Sequence, residues 1–393
     1  MSCEKITTNE HIMPTYNRFP VRIVKGEGHY LYGDDDTKYL DYTSGIATCN
    51  VGHRPKSVQE KVTEQIETLW HCSNLFHIPT QEKLADQLTQ LTCFDQVFFS
   101  NSGAEANEAA IKLARRYHQK VKQTDREEIV TFSQSFHGRT LATLSATGQE
   151  KIQDGFLPLM PGFSYLPYND SEALNQLIER QPAAVMLELV QGEGGVIPVE
   201  KAWLEKLIKL CDEHDILIIV DEIQTGVGRT GTLYFYQQFD FEPDILTSAK
   251  GLASGLPIGA TLAKSEVAEA FSAGTHGSTF GGNPIVTSGA LATLDLITKE
   301  LDLSQIRDQM ALFKQKLEHL AQRKNEILTV RGAGYLLGLE TTKKAIDIVH
   351  AVRENDHILI LVAGPQVVRI LPPLTTTEEE MDRVIAALDR HLN

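Results

Sequence analysis

Three short stretches place chemically capable side chains directly after apolar runs. In Ser100-Asn101-Ser102-Gly103-Ala104-Glu105-Ala106-Asn107, small residues sit where a helix should begin. Unpaired amides, the positive end of the helix dipole and a Ser hydroxyl together suit a phosphate. Asp221-Glu222-Ile223-Gln224 follows the aliphatic run Ile216 to Val220, and a carboxylate at the end of a buried strand loses hydration unless a partner meets it. Ser248-Ala249-Lys250-Gly251-Leu252 follows Ile245 to Thr247. Small neighbours beside a buried strand lower the proton affinity of a lysine and leave a nucleophilic amine. Taken singly, each stretch has an ordinary reading: a Ser N-cap, an internal ion pair, a solvated lysine. Taken together, they meet the needs of pyridoxal phosphate, which requires a phosphate cradle, an acid opposite its ring nitrogen and a lysine for a Schiff base. In that reading Asp221 keeps the ring nitrogen protonated, while Lys250 serves first as anchor and then as the base that moves a substrate proton.

Such stretches work only if strands deliver them to one edge of a sheet, because loops leaving the carboxyl ends of parallel strands form the ligand crevice. The β-prone runs Gln96–Phe99, Glu128–Phe132, Ala184–Leu187, Ile216–Val220 and Ile245–Thr247 alternate with helical stretches such as Ala104–Gln119 and Trp203–His214. That alternation predicts an α/β fold with a mostly parallel sheet covered on both faces. After about Leu294 the pattern changes to a long helical run ending near Lys324, a Gly-rich strand around Gly334 to Glu340, and a helix near Ala345 to Asn355. Two β-prone pieces and a final helix from Glu378 to Leu392 follow. This tail predicts a smaller α/β domain, and the short strands expected around Tyr30–Tyr32 and Tyr39–Tyr42 pack against it. The expected division is an N-terminal segment of residues 1–50, a large domain of residues 51–294 and a small domain of residues 295–393.

Composition narrows the setting. A chain of 393 residues with 42% hydrophobic and 23% charged residues can bury a full core, and at roughly 150 residues per domain it suggests two or three domains. Lys and Arg number 37 against 52 Asp and Glu, a net charge of −15, which argues against a nucleic-acid partner. The longest strictly aliphatic run, Ile216 to Val220, falls far short of the roughly 20 residues that span a bilayer. Met1 to Lys5 opens no secretory apolar segment, so a cytoplasmic protein is expected. Cys3, Cys49, Cys72, Cys93 and Cys211 are scattered, and His29, His53, His71 and His77 lack ligand-like spacing. Neither a disulfide framework nor a metal site is expected.

Eight segments in order resemble a known family. They are Asp41-Tyr42-Thr43-Ser44-Gly45-Ile46-Ala47, the Ser100 to Ala110 stretch, Phe136-His137-Gly138-Arg139-Thr140, Gln191-Gly192-Glu193-Gly194-Gly195, the Asp221 to Gly226 stretch, Thr247-Ser248-Ala249-Lys250, the His276 to Pro284 stretch, and Leu361-Val362-Ala363-Gly364-Pro365. Over nearly the whole chain the sequence is similar to the class III (ω-amino acid) aminotransferases of pyridoxal-phosphate fold type I. The resemblance implies that Ser102, Gly103 and Ala104 hold the phosphate, that Phe136 stacks on the ring, and that Asp221, Glu222, Ile223 and Gln224 form the turn against the ring edge. Within that turn Asp221 meets the pyridine nitrogen and Gln224 the 3′-oxygen, while Lys250 carries the cofactor. Thr279 is implied to reach the phosphate of the neighbouring subunit, making the functional unit a homodimer with shared sites.

For substrates, the resemblance implies that Arg139 clamps the distal carboxylate, because a guanidinium fork pairs bidentately with carboxylate. Ser278 is implied to touch the donor, and Arg369 to clamp the α-carboxylate of glutamate. Glu193 pairs with Arg369 until glutamate displaces it. The implied reaction is a ping-pong amino transfer from acetylornithine to 2-oxoglutarate, in arginine biosynthesis. Ile46 stands where ornithine-specific relatives carry an aromatic residue that helps hold a free α-amine, which favours a blocked α-amine. Succinylornithine, succinyl-diaminopimelate, ornithine and 4-aminobutyrate are the alternative donors, and a pyridoxal-phosphate aminomutase is the alternative from another class. The chain departs from the common pattern at Glu188-Leu189, where many relatives have Glu-Pro, and at Ala104, where some have Thr.

Overall fold

The computed structural model describes residues 11–393; Cys3 lies outside the described residues. Strands β1 (Ile23–Glu27), β2 (Tyr30–Gly33) and β3 (Lys38–Asp41) form an antiparallel meander near the N-terminus. The next four are β4 (Gln96–Ser100), β5 (Ile129–Phe132), β6 (Phe163–Leu166) and β7 (Ala184–Leu187). A two-stranded ribbon, β8 (Val190–Gln191) with β9 (Ile197–Pro198), precedes β10 (Leu217–Asp221), β11 (Ile245–Ser248) and β12 (Gly259–Ala263). The chain ends with β13 (Ile327–Ala333), β14 (Leu336–Thr341), β15 (Ile358–Leu359), β16 (Leu361–Val362) and β17 (Val367–Ile370).

The central sheet has seven strands in the order β4-β12-β11-β10-β7-β5-β6, and only β12 runs against the others. Its middle strands are buried along their whole length, Leu217–Asp221 included, because helices cover both faces; strands in that position read as continuous apolar runs rather than alternating ones. The parallel register sets Asp221 beside Thr247 and Val220 beside Leu187. Consequently the carboxyl ends of β4, β5, β7, β10 and β11 lie along one edge, where Asp221 ends its strand and Asn101, Phe136, Glu188 and Lys250 follow theirs.

Two smaller sheets flank this one. Strand β3 pairs in parallel with β15, more than 300 residues later, which joins the N-terminal meander to the C-terminal region. A second sheet has the order β13-β14-β17-β16. No helix among the described residues is long and apolar enough to cross a membrane.

One local expectation is corrected, and two strands are not expected from sequence. The helical run after Leu294 is not continuous. A helix from Pro284 to Asp295 runs through a π-helical turn to Glu300, and a new helix begins at Leu303. The side chain of Asp302 accepts from Ser304 N and Gln305 N, so it caps the second helix and stops the first from propagating through it. The Gly-rich strand is one arm of a hairpin whose other arm, β13, lies largely at intermediate exposure and shows no clear alternation. Strand β12, Gly-Ala-Thr-Leu-Ala, is short and small-residued, and its identity as a strand comes from pairing with both β4 and β11.

Candidate active site

A cavity of ≈ 400 Å³ opens at the carboxyl edge of the central sheet, within the size range of small-molecule sites. Its wall includes Ser102, Gly103, Ala104, Phe136, Arg139, Asp221, Ile223, Gln224 and Lys250.

One end of the cavity is built from the start of the helix Gly103–Arg116. Ser102 is its N-cap, and Ser102 Oγ accepts from Glu105 N at 3.2 Å. The first bond along the helix axis runs from Ala106 N to Ser102 O at 3.0 Å, so the Gly103 and Ala104 amides precede the ladder and face outward as donors. The ordinary N-cap role and the cradle are therefore one structure, since the Ser102 hydroxyl still has its own hydrogen to give. A Cβ on Gly103 would come 2.7 Å from Ile223 Cδ1, so close packing of the helix start on the Asp221–Gln224 turn needs glycine.

Asp221 is 4% exposed. Its Oδ2 accepts from Asn107 Nδ2 at 2.8 Å and meets His137 Nδ1 at 2.8 Å, and its Oδ1 accepts from Ile223 N at 3.1 Å. Asn107 is itself fixed, donating to His137 O at 2.7 Å and accepting from Thr247 Oγ1 at 2.7 Å. A buried carboxylate so satisfied stays oriented, and it is available to a positive ring nitrogen. Neither Asn107 nor His137 was singled out from sequence for this task. The available signal was a polar Asn inside the buried helix face Ala106, Ala109, Ala110, Ile111 and Leu113.

Lys250 follows β11 with φ 43°, a left-handed conformation that is rare for a residue with a side chain and recurs at reactive sites. Burial lowers its proton affinity; the Glu193 carboxylate opposes this, and the Arg369 cation adds to it. Phe136 is half-buried, and the Arg139 guanidinium lies 5.5 Å from its ring centroid at the exposed rim.

Arg369 and Glu193 stand one layer behind, linked to the cavity through Gln224. Arg369 Nη1 donates to Glu193 Oε1 at 2.5 Å, to Gly192 O at 3.1 Å and to Gln224 Oε1 at 3.1 Å. Arg369 is 3% exposed. Burial pushes the Glu193 carboxyl upward, but the Arg369 and Lys250 charges prevail and hold it below the usual range. Gln224 is thus engaged by the ion pair as well as facing the cavity.

Three predicted residues lie elsewhere. Glu222 is buried but does not line the cavity; it accepts from Thr225 Oγ1 at 2.6 Å and Tyr236 N at 2.7 Å. Adjacent residues leaving a strand point to opposite sides, so Asp221 facing the cavity turns Glu222 away. Ser278 and Thr279 border a second depression of ≈ 380 Å³ with Asn101, Glu105, Glu108 and His276. Ser278 Oγ accepts from Asn101 Nδ2 at 3.1 Å and Gly281 N at 3.0 Å, and Thr279 is exposed. Of the histidines set aside, His29 meets Glu380 at 2.7 Å, His53 meets Asp41 at 2.8 Å, His77 meets Glu82 at 2.6 Å and His71 packs near Phe280.

The cavity fits pyridoxal phosphate on its own geometry: outward amides at a helix start, a flat aromatic face, a buried acid and a lysine with depressed proton affinity share one space. Fold and site together define a pyridoxal-phosphate-dependent enzyme of the α/β type. The chain belongs to the family described as aminotransferase class-III, whose profile matches residues 12–392. It is 54% identical over 378 residues to an acetylornithine aminotransferase of Oceanobacillus iheyensis, covering 96% of this chain and 94% of that one. An acetylornithine aminotransferase of Listeria innocua is 47% identical over 380 residues, with 96% and 97% covered. Among solved structures, an ornithine aminotransferase from Toxoplasma gondii superposes with a TM-score of 0.92 at 30% identity, covering 97% of this chain and 92% of that one. An acetylornithine aminotransferase from Elizabethkingia anophelis gives 0.86 at 31% identity, with 97% and 95% covered.

Proposed function

We propose that this chain transfers the δ-amino group of N2-acetyl-L-ornithine to 2-oxoglutarate, giving N-acetyl-L-glutamate 5-semialdehyde and L-glutamate, in arginine biosynthesis. The observation that carries the reading is the pair that buried Arg369 forms with partly exposed Glu193, beside Lys250. A site that must accept an ω-amino donor, with no carboxylate on its reacting carbon, and glutamate, which has one, needs a cation that is neutralised in the first case and released in the second. Leaving a buried guanidinium unpaired costs roughly several kcal/mol, and Glu193 removes that cost while the donor is bound. The 54% identical relative supports the same donor.

Bound pyridoxal phosphate supplies an aldehyde that takes the amino group and a cationic ring that withdraws electrons from the substrate C–H bond. Asp221, oriented by Asn107 and His137, would keep the ring nitrogen protonated. Lys250, whose amine lines the cavity with lowered proton affinity, would hold the cofactor and would serve as the base that moves a proton at the substrate carbon. Ser102, Gly103 and Ala104 would hold the cofactor's phosphate, Phe136, Ile223 and Gln224 would hold its ring, and Arg139 at the rim would take the distal carboxylate of the substrate.

Two copies of the chain share their sites in this reading. Thr279 is exposed and away from its own cavity, and Trp70, Leu75, Phe76 and Phe280 expose 65%, 89%, 66% and 59% of their surface. Apolar exposure of that kind is covered by an isologous partner in a two-fold dimer. The reading also divides the chain near residues 50 and 294, with the central sheet in the large unit. A cytoplasmic location belongs to it, supported by the free thiols Cys49, Cys72, Cys93 and Cys211.

The test is a donor panel at fixed 2-oxoglutarate. Acetylornithine should exceed ornithine in kcat/KM by at least about tenfold. Equal turnover of the two sinks the acyl-donor assignment. Consumption of many equivalents of donor per site without any oxoacid points to an aminomutase instead, since the aminotransferase stops after one.

A further inference from the structure

We propose that Glu188 is a specificity-determining positioning residue, whose carboxylate fixes how firmly Glu193 holds Arg369 and so sets the balance between the two amino donors. The inference rests on the reading of Arg369 and Glu193 given above. Glu188 is 5% exposed, sits in the wall of the Lys250 cavity, and serves none of the roles already assigned.

Its two oxygens take separate backbone donors. Oε2 accepts from Phe136 N at 2.9 Å, and Oε1 accepts from Gly192 N at 3.3 Å. One carboxylate therefore ties the loop after β5, which bears Phe136, to the turn between β8 and β9, which bears Glu193. Gly192 passes the tie onward, because its carbonyl accepts from Arg369 Nη1 at 3.1 Å and the next residue accepts from the same nitrogen at 2.5 Å. The turn is also packed directly on Gln224: a Cβ on Gly192 would come 2.5 Å from Gln224 Oε1. The backbone of Glu188 is fixed as well, since its carbonyl accepts from the Tyr168 hydroxyl at 2.8 Å. A buried carboxyl that burial and the Asp221 charge push up to about 7, against the pull of His137 and these two amides, is a costly choice if its only task is to fill space.

Glutamine at this position has one acceptor oxygen and an NH₂ group. Whichever way the amide turns, either Phe136 N or Gly192 N then faces a donor. The longer bond, at Gly192, yields first. The turn loosens, and both Arg369 contacts that it carries weaken together. An arginine less occupied by the protein is more available to an incoming α-carboxylate, and is left unpaired when the donor has no carboxylate there. The two substrates should therefore respond with opposite sign.

The test compares the pyridoxal-phosphate-loaded wild type with Glu188→Gln and Glu193→Gln. In Glu188→Gln the ratio of kcat/KM for acetylornithine to that for glutamate should fall about tenfold. Glutarate, an unreactive dicarboxylate, should bind at least about threefold more tightly by calorimetry. An equal loss for both donors marks a merely structural residue and overturns the inference, as does an unchanged ratio or unchanged glutarate affinity. If Glu193→Gln shifts the ratio and Glu188→Gln does not, the inference alone fails; if neither shifts it, the ion-pair reading fails and takes the inference with it. Should Glu188→Gln not accumulate as folded protein, Glu188→Asp, too short to reach both amides, is judged by the same ratio.

Discussion

Lys250 combines three conditions that a surface lysine lacks: a left-handed backbone, burial that disfavours its ammonium form, and anionic neighbours, Glu193 and Asp221, that oppose this without reversing it. Its side chain faces a cavity and not the packed core, so removing it takes away chemistry without opening a void in the core. Lys250→Ala should abolish turnover while leaving the thermal midpoint within about 3 °C of wild type, read by steady-state assay and by circular dichroism. Residual activity above background in that variant contradicts the assigned role. Asp221 differs in kind, because it depends on its neighbours: Asn107 and His137 hold one oxygen from two elements, which explains why an acid at a strand end tolerates burial here.

At the scale of elements, the final helix Glu378–His391 shows how one residue can serve two purposes. Thr377 is its N-cap and forms a capping box with Glu380, a reciprocal arrangement that satisfies helix-start amides. Thr377→Ala should lower stability by about 1 kcal/mol in urea titration. The same Glu380 reaches across to β2, meeting His29 Nδ1 at 2.7 Å just before the strand begins. Burial alone would raise the Glu380 carboxyl, but the His29 and Thr377 hydrogen bonds outweigh it and hold it down at about 2. A carboxyl depressed on folding adds stability above its unfolded value, about 4.3, and that stability disappears as pH falls toward 2. The thermal midpoint of wild type should therefore drop between about pH 5 and pH 3, and Glu380→Gln should start lower and drop less. Parallel curves for the two proteins would show that Glu380 contributes nothing to acid stability.

Over the whole molecule, Arg229 is the joint. It is fully buried, and it donates to Asn50 Oδ1 at 2.6 Å, to Tyr335 O at 3.3 Å and to Pro372 O. These partners come from the N-terminal region, the β13–β14 hairpin and the segment after β17, so one side chain ties three remote parts of the chain to the loop after β10. Burial lowers its proton affinity to about 9, which still leaves it charged at neutral pH. Asn50 in turn donates to Val227 O at 2.8 Å, and a Cβ on Gly251 would strike its amide at 2.3 Å; the joint thus presses on the turn that carries Lys250. Arg229→Met leaves three buried acceptors without this donor, at about 1–3 kcal/mol for each that stays unsatisfied, and should lower the urea midpoint; Arg229→Lys should recover only part because a point charge cannot reach all three oxygens. A midpoint unchanged in Arg229→Met refutes the joint.

What the sequence alone determined is what neighbouring residues decide among themselves. Apolar runs fixed the existence of β4, β5, β7, β10 and β11, small residues after β4 fixed a helix start at Ser102, and a lysine between small residues marked the end of β11. Those features depend on local sterics and on which groups can be capped within a turn. The tertiary structure decided everything that requires two distant segments to meet: Arg369 against Glu193, 176 residues apart, His137 and Asn107 on Asp221, Glu188 between two turns, and β3 beside β15. It also decided that Glu222, one residue from Asp221, faces inward packing and not the cavity. Such meetings are set by strand order and register, which arise from burying the whole apolar surface at once, and no single stretch of sequence encodes that.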